Sequence, residues 1–326
     1  MENEFQGYFN DKINSVKRLA HLGNNQIYRV DTKRSYLLKK YSTTQKDNWN
    51  RGKTEFFAVS NFWRIGLRNI PEPIGLFDNS TIAVYSFEPG KTLSPDEIKK
   101  DDIVSAAEFL SRLHTLPIAE KQSFPLERTS CLTIQSYVDL IKNRYNNISS
   151  DFSGKTEHRA LLENNVLPKI KELENYVFDN LNGFDVKKDL PLEEQVITPG
   201  DFGFHNILVD RPNNKYTFID FEYCGRDDPI KQILDFLHHD RTRELSSELK
   251  ELFVKEYRKN TNHHDHFEKR MQLLDPVIGM NWALIYLNVL SGNYLKNTNF
   301  ANGNVSEVID ERVTKAKLKL DKIRYF

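Results

Sequence analysis
The order in which strand-like and helix-like sequence occurs is what most narrows the fold. Short apolar runs between turn residues fill the first ninety positions, and stretches with helical spacing fill most of the rest, interrupted once near residue 200 by another set of short runs. A doubly wound sheet alternates strand and helix throughout, and a solenoid shows one repeat period. The chain does neither. A small β-rich lobe, a larger and mostly helical lobe, and one hairpin embedded among the helices make an α+β protein of two lobes, which suits 326 residues.

In the first lobe, residues 26–30 and 35–39 are bracketed by Gly23-Asn24-Asn25 and Asp31-Thr32-Lys33 and read as a hairpin. Phe56, Phe57, Val59, Phe62 and Trp63 recur at helical spacing, predicting a helix over 53–65 that Gly66 ends. Residues 74–77 and 81–87 flank Asp78-Asn79-Ser80 as a second hairpin. Glu88-Pro89-Gly90-Lys91 is the best linker, so the lobes are expected over 1–88 and 89–326. Beyond it, Ile103, Ala106, Ala107, Leu110, Leu113 and His114 share a helix face, and further helices are predicted over 133–146, 157–180 and 276–290. The embedded hairpin joins 207–209 to 216–221 around Pro212-Asn213-Asn214.

Lys and Arg total 46, as do Asp and Glu, so the formal net charge is zero. Binding along a phosphate backbone needs a basic excess and docking on an anionic membrane needs a polybasic cluster, so neither nucleic acid nor membrane is expected as a partner. Cys131 and Cys224 are too few for a disulfide framework, and the acidic N-terminus has no apolar leader run; the chain reads as cytoplasmic. The longest apolar stretch, 282–290, is broken by Asn288 and falls short of the roughly 20 residues that span a bilayer.

One segment carries the chemistry. Gly200-Asp201-Phe202-Gly203-Phe204-His205-Asn206 leads into a strand, and Ile219-Asp220-Phe221-Glu222 ends the next, so Asn206 follows Asp201 by five residues and Asp220 comes fourteen later. Phosphoryl transfer from a nucleotide to an alcohol uses such a set: one carboxylate accepts the hydroxyl proton while a carboxamide and a second carboxylate hold Mg²⁺ on the phosphates. Mg²⁺ takes one or two protein oxygens and otherwise keeps water and phosphate, so one Asn and one Asp suffice.

From about Val16 to at least Phe236 the sequence resembles the aminoglycoside phosphotransferase and choline kinase-like family, whose fold is that of the protein kinases. That family's catalytic stretch reads His-Gly-Asp, four residues, then Asn-Ile-Leu-Val-Asp. Its metal stretch reads Ile-Asp-Trp/Phe-Glu, with Asp-Pro soon after and an Asp in the next helix. Here stand Gly200-Asp201, Asn206-Ile207-Leu208-Val209-Asp210, Ile219-Asp220-Phe221-Glu222, Asp228-Pro229 and Asp235. The resemblance implies a two-lobed protein-kinase-like fold, ATP and Mg²⁺ as cofactors, Asp201 as catalytic base, and Asn206 and Asp220 as metal ligands. It further implies that Lys39 reaches the α- and β-phosphates and that Glu55 pairs with it. Strand alternation sets Lys39 on the face of Leu37 and turns Lys40 the other way. Gly23 and Asn24 fall where the family's phosphate-covering loop lies, and Ser86 and Glu88 fall in its adenine-contacting segment, where the contacts come mainly from the backbone. Glu222 either touches metal or substrate or holds its own loop; Asp228 and Asp235 are expected to fix the backbone nearby. The family's supporting His is replaced by Pro199, which bears on the rigidity of the loop more than on proton transfer.

Rival motifs fail. Gly52-Lys53-Thr54 and Gly90-Lys91-Thr92 lack the glycine that a P-loop places five residues earlier, where Asp47 and Tyr85 stand. His263-His264-Asp265-His266 sits in a polar stretch and reads as a solvated loop. Trp282 and Asn288 read as core packing or, by the resemblance, as part of an acceptor pocket wall. The basic tail over 311–326 hints at no acidic pocket for a polycationic aminoglycoside. The expected activity is therefore that of a small-molecule kinase acting on a hydroxyl of a sugar, amino alcohol or polysaccharide precursor. An aminoglycoside kinase, a protein kinase and a nucleotide-binding pseudokinase are the alternatives; Asp220-Phe221-Glu222 in place of Asp-Phe-Gly argues against the protein kinase. The acceptor, the oligomeric state and the choice of ATP over GTP stay open.

Overall fold
The computed structural model describes residues 2–19, 25–42, 49–261, 266–297 and 305–325. Gly23, Asn24, His263, His264 and Asp265 lie outside the described residues. The chain divides into two compact units, Met1–Ser105 with Pro199–Gly225, and Ala106–Thr198 with Arg226–Phe326. The segments bearing Asp201, Asn206 and Asp220 thus fold with the early sheet, although helical sequence flanks them on both sides.

In the first unit β1 (Ser15–Arg18), β2 (Gln26–Asp31), β3 (Ser35–Lys40), β4 (Pro73–Phe77) and β5 (Ile82–Ser86) form an antiparallel sheet in the order β1-β2-β3-β5-β4. Both early hairpins occur where alternation placed them; Val30 faces Tyr36 across one and Phe77 faces Ile82 across the other. β1 has one apolar residue, Val16, and so carried no alternation to read. Tyr28, Val30, Leu38, Ile82 and Val84 are buried together with Phe5 and Ile13. Lys39 and Tyr85 point the opposite way, where Phe56 of the helix Arg51–Arg64 meets Tyr85 with ring centroids 6.1 Å apart. That helix buries Val59 and Phe62, each contributing roughly 1.5–3 kcal/mol. It starts at Arg51 because Asn50 caps it, accepting the Lys53 N–H at 2.9 Å.

The embedded hairpin pairs Ile207–Asp210 with Lys215–Phe218. Lys91 and Val209 exchange backbone bonds of 3.2 and 2.9 Å, and the Phe218 N–H donates to the Asn69 carbonyl at 2.9 Å, so the hairpin is tied to the segments leading into and out of β4 and β5.

The second unit is built around the helix Phe267–Leu287, which packs against Ile134–Ser150, Pro229–His238 and Val305–Asp321. The sequence suggested 276–290, with Pro276 near the start. The helix instead begins nine residues earlier and carries Pro276 inside it. A proline with its fixed φ suits a first turn, but one lost N–H bond is tolerated where apolar residues on every side are buried. The helix is long and apolar enough to cross a bilayer, yet 78% of its most apolar window is buried within the protein. The helix expected over 157–180 is interrupted: Thr156–Leu161 passes through a π-helical turn, Leu162–Val166, before Leu167–Asp179. Pro168 has no N–H to close the α-helical ladder, and a wider turn accommodates the gap.

Candidate active site
Within the first unit one buried lysine gathers three carboxylates. The Lys39 ammonium lies 2.7 Å from Glu55 Oε2, 2.6 Å from Asp220 Oδ1 and 3.5 Å from Glu222 Oε2, with its side chain 5% exposed. Burial works against the charged ammonium, but the charges of Asp220, Glu55 and Glu222 outweigh it and hold the lysine well above its usual range. Lys40, on the other face, lies 3.8 Å from Glu4. Glu55 is fixed in turn by the Tyr41 hydroxyl, which donates to it at 2.7 Å, and by the Phe221 N–H at 3.4 Å. Phe62 of the same helix packs edge-on against Phe221, with centroids 5.6 Å apart.

Asp220 reaches Lys39 because its backbone turns. It adopts φ +68, a left-handed conformation that Asp tolerates better than most residues. The residue before it, Ile219, donates its N–H to the Asn206 carbonyl at 3.0 Å, which sets Asp220 beside Asn206. Asn206 donates its side-chain N–H to the Asp201 carbonyl at 2.9 Å, leaving Oδ1 without a protein donor among the described residues. Gly200 adopts φ +85, and a Cβ there would stand 2.5 Å from the Tyr223 Cβ, so the residue before Asp201 is confined to glycine. The Asp201 carboxylate is 43% exposed, and His205 Nε2 lies 3.1 Å from its Oδ1. In the sequence His205 is marked only by its i,i+4 spacing from Asp201.

Glu222 is more enclosed than its place after Asp220 suggested. Asn25 donates to its Oε2 at 2.6 Å, Arg51 Nε stands 3.7 Å from its Oε1, and the Trp49 indole N–H donates to its carbonyl at 2.7 Å. Burial and the neighbouring Asp220 charge push the Glu222 carboxyl up to about 7. Asn25, Trp49 and Arg51 carried no sequence signal for this role. Ser86 and Glu88 are bonded to each other, the Ser86 hydroxyl donating to Glu88 Oε1 at 2.6 Å, and Lys215 pairs with Glu88 at 2.6 Å. The Ser86 N–H is committed to the Glu72 carbonyl at 2.9 Å, so its carbonyl is the backbone group it can still offer.

In the helical unit Asp228 is fully buried. It caps Pro229–His238 by accepting the Ile230 N–H at 2.9 Å, takes the Tyr137 hydroxyl at 2.8 Å, and pairs with Arg270. Asp235 accepts the Trp282 indole N–H at 3.0 Å and lies 3.5 Å from Lys231. Trp282 is half-buried, edge-on to His239 with centroids 5.0 Å apart, and Asn288 ends the central helix.

Residues 15–268 match the model of a family described as the phosphotransferase enzyme family. This chain belongs to that family. No curated protein sequence matches the phosphotransferase. Solved structures do. A choline kinase, LicA, from Streptococcus pneumoniae is 18% identical with a TM-score of 0.62, covering 98% of this chain and 97% of its own. A choline/ethanolamine kinase family protein from Mesorhizobium loti is 17% identical with a TM-score of 0.62, covering 94% and 88%. A spectinomycin phosphotransferase, crystallised with ADP and spectinomycin, is 15% identical with a TM-score of 0.63, covering 98% and 97%. At these identities the likeness is one of fold, and the fold is the protein-kinase-like α+β arrangement that the motifs implied.

Proposed function
We propose that this phosphotransferase moves the γ-phosphoryl group of ATP to a hydroxyl of a small polar metabolite: a sugar, an amino alcohol or a polysaccharide precursor. The observation that carries the reading is the buried Lys39 ammonium between Glu55 and Asp220, in the same compact unit as Asp201 and Asn206. Residues 1–88 are assigned to nucleotide binding and 89–326 to catalysis and the acceptor. Neighbours of the same fold crystallised with ADP and with AMP-PNP support a nucleotide as the donor.

Asn206 Oδ1 and the Asp220 carboxylate are hard oxygen donors of the kind Mg²⁺ takes, and Asn206 keeps that oxygen free of protein donors among the described residues. Bound Mg²⁺ supplies charge neutralisation on the phosphates. Lys39, held by Glu55, binds the α- and β-phosphates. Gly23 and Asn24 are assigned to the phosphate-covering loop, and Ser86 and Glu88 to the adenine. Asp201 accepts the acceptor's hydroxyl proton as the new O–P bond forms and the bond from the γ-phosphorus to the bridging oxygen breaks. His205 is assigned as the residue that positions the Asp201 carboxylate. Trp282 and Asn288 are assigned to the acceptor. Glu222 is assigned to holding the segment after Asp220, because its carboxylate is turned toward Asn25, Lys39 and Arg51.

The test is ADP release with Mg²⁺ over a panel of sugars, amino alcohols and aminoglycosides. One acceptor class should stimulate release, and Asp201→Asn should lower its turnover by roughly 10²–10⁴-fold while AMP-PNP still binds. Undiminished turnover in Asp201→Asn removes the assigned base. Phosphate transfer to protein alone moves the reading to a protein kinase.

A further inference from the structure
The helical unit holds a cavity of about 650 Å³ at the opposite end of its central helix from Trp282. Phe267 and Arg270, on its wall, precede Trp282 by twelve residues or more, about 18 Å along a helix that rises 1.5 Å per residue. It is therefore separate from the residues assigned to the acceptor. Its volume falls in the range, roughly 300–1,000 Å³, that encloses a small organic ligand. Leu190, Val196, Ile230, Tyr257 and Phe267 are buried in its wall. Of the four lining acids, Asp185, Asp189 and Glu193 are exposed and Glu194 is half-buried.

One cation on the wall is left underused. Lys121 is 5% exposed, and among the described residues its ammonium makes one hydrogen bond, to the Glu193 carbonyl at 3.2 Å. No carboxylate among the described residues pairs with it, whereas carboxylates surround the buried Lys39 and Lys231; the buried Lys319 likewise donates to a backbone carbonyl, that of His238, at 3.3 Å. Arg270, another cation of the wall, is committed to Asp228. An ammonium offers three donors, and the protein meets one of them among the described residues. Burial accordingly pushes Lys121 below the usual lysine range, only partly opposed by the Glu193 charge.

We propose that this cavity binds an organic acid with an apolar body, its anionic head on Lys121 and its aryl or alkyl part against the buried wall. The head supplies the acceptors that the protein withholds, and a charge-assisted bond in a partly dry site gives it strength.

The test is fluorescence titration of the full chain with 1-anilinonaphthalene-8-sulfonate, with decanoate as competitor. Saturable binding is expected, displaced by decanoate and unaffected by saturating AMP-PNP and Mg²⁺. Lys121→Met should weaken it roughly tenfold, the contribution of one charge-assisted bond, whereas Lys121→Arg and the exposed-site control Lys317→Met should retain it. Leu116→Glu, which puts a carboxylate on the half-buried wall, should weaken it too. The Lys121→Met protein should melt no lower than the parent, because methionine fills similar length without an unmet charge. Absence of saturable binding, displacement by AMP-PNP, or equal affinity in the parent and Lys121→Met would overturn the proposal.

Discussion

Replacing Lys39 by methionine keeps the side chain's length and deletes its charge. In the parent the ammonium lies 2.7 Å from Glu55, 2.6 Å from Asp220 and 3.5 Å from Glu222. The variant leaves three carboxylates whose nearest oxygens all lie within 4.8 Å of one another. Glu55 and Glu222 are only 6% and 11% exposed, whereas Asp220 at 33% is partly screened by solvent and adds less. Removing one partner of a buried pair costs about 3–5 kcal/mol, and the lower end is expected because Glu222, already pushed up to about 7, can take a proton and relieve part of the repulsion. Glu55→Gln is milder, about 1 kcal/mol, since Lys39 retains Asp220 and the amide oxygen still accepts from Tyr41. Combining the two changes removes the stranded Glu55 charge, so the double variant should be more stable than the summed losses by at least about 1 kcal/mol. Urea unfolding of the four proteins in EDTA measures the cycle. Additive losses, or a Lys39→Met cost below about 1 kcal/mol, would refute the view that this ammonium neutralises the pocket.

Three further outcomes follow from the same geometry. Lys231 sits 2.9 Å from Asp227 and 3.5 Å from both Glu127 and Asp235, and burial raises the Glu127 and Asp235 carboxyls against the pull of its charge. Without that charge they rise further, and an acid raised on folding contributes stability below its unfolded pKa that is lost as pH climbs through the folded value. Lys231→Met should therefore lower the melting temperature more at about pH 8 than at about pH 5, and equal shifts would contradict it. Gly200→Ala forces a Cβ to 2.5 Å from the Tyr223 Cβ at φ +85, so turnover should fall roughly tenfold or more as the loop before Asp201 shifts; unchanged turnover would show that the loop yields. Asn206→Ala removes one proposed metal oxygen and the bond to the Asp201 carbonyl, so the Mg²⁺ concentration for half-maximal rate should rise roughly tenfold, and an unaltered Mg²⁺ curve would remove Asn206 from the metal site.

What could be read from sequence was whatever chemistry or periodicity fixes locally. Lys39 was legible as the inward-facing lysine because strand alternation chose it over Lys40, and Asp201, Asn206 and Asp220 stood out as candidates because phosphoryl transfer restricts residue types and order. Asn25 was not legible as a partner of Glu222, nor was Trp49, because 197 and 173 residues separate them and only the folded chain brings them together. The start of the central helix is hidden from sequence for a different reason. Proline at a first turn and proline inside a buried helix are the same letter, and burial decides between them. Nor did any periodicity mark Lys121, whose meaning lies in the carboxylate it lacks.

The zero net charge of the chain conceals two pockets with the same local arithmetic, one lysine among three carboxylates, around Lys39 and around Lys231. Their difference lies in exposure. At Lys231 the three acids are 1%, 5% and 17% exposed, and the pocket is closed on itself. At Lys39 one acid, Asp220, is 33% exposed and stands next to Asn206, whose Oδ1 takes no protein donor among the described residues. A cation approaching from solvent meets an oxygen pair at the Lys39 pocket and a closed ion cluster at the Lys231 pocket. Arg51, 3.7 Å from Glu222, and the buried Arg144, beside Asp235 and Glu127, temper the negative charge of each pocket, so what separates the two is the outward oxygen pair at Lys39. An acidic cluster around a buried lysine is therefore no sign of a site until one of its carboxylates faces out.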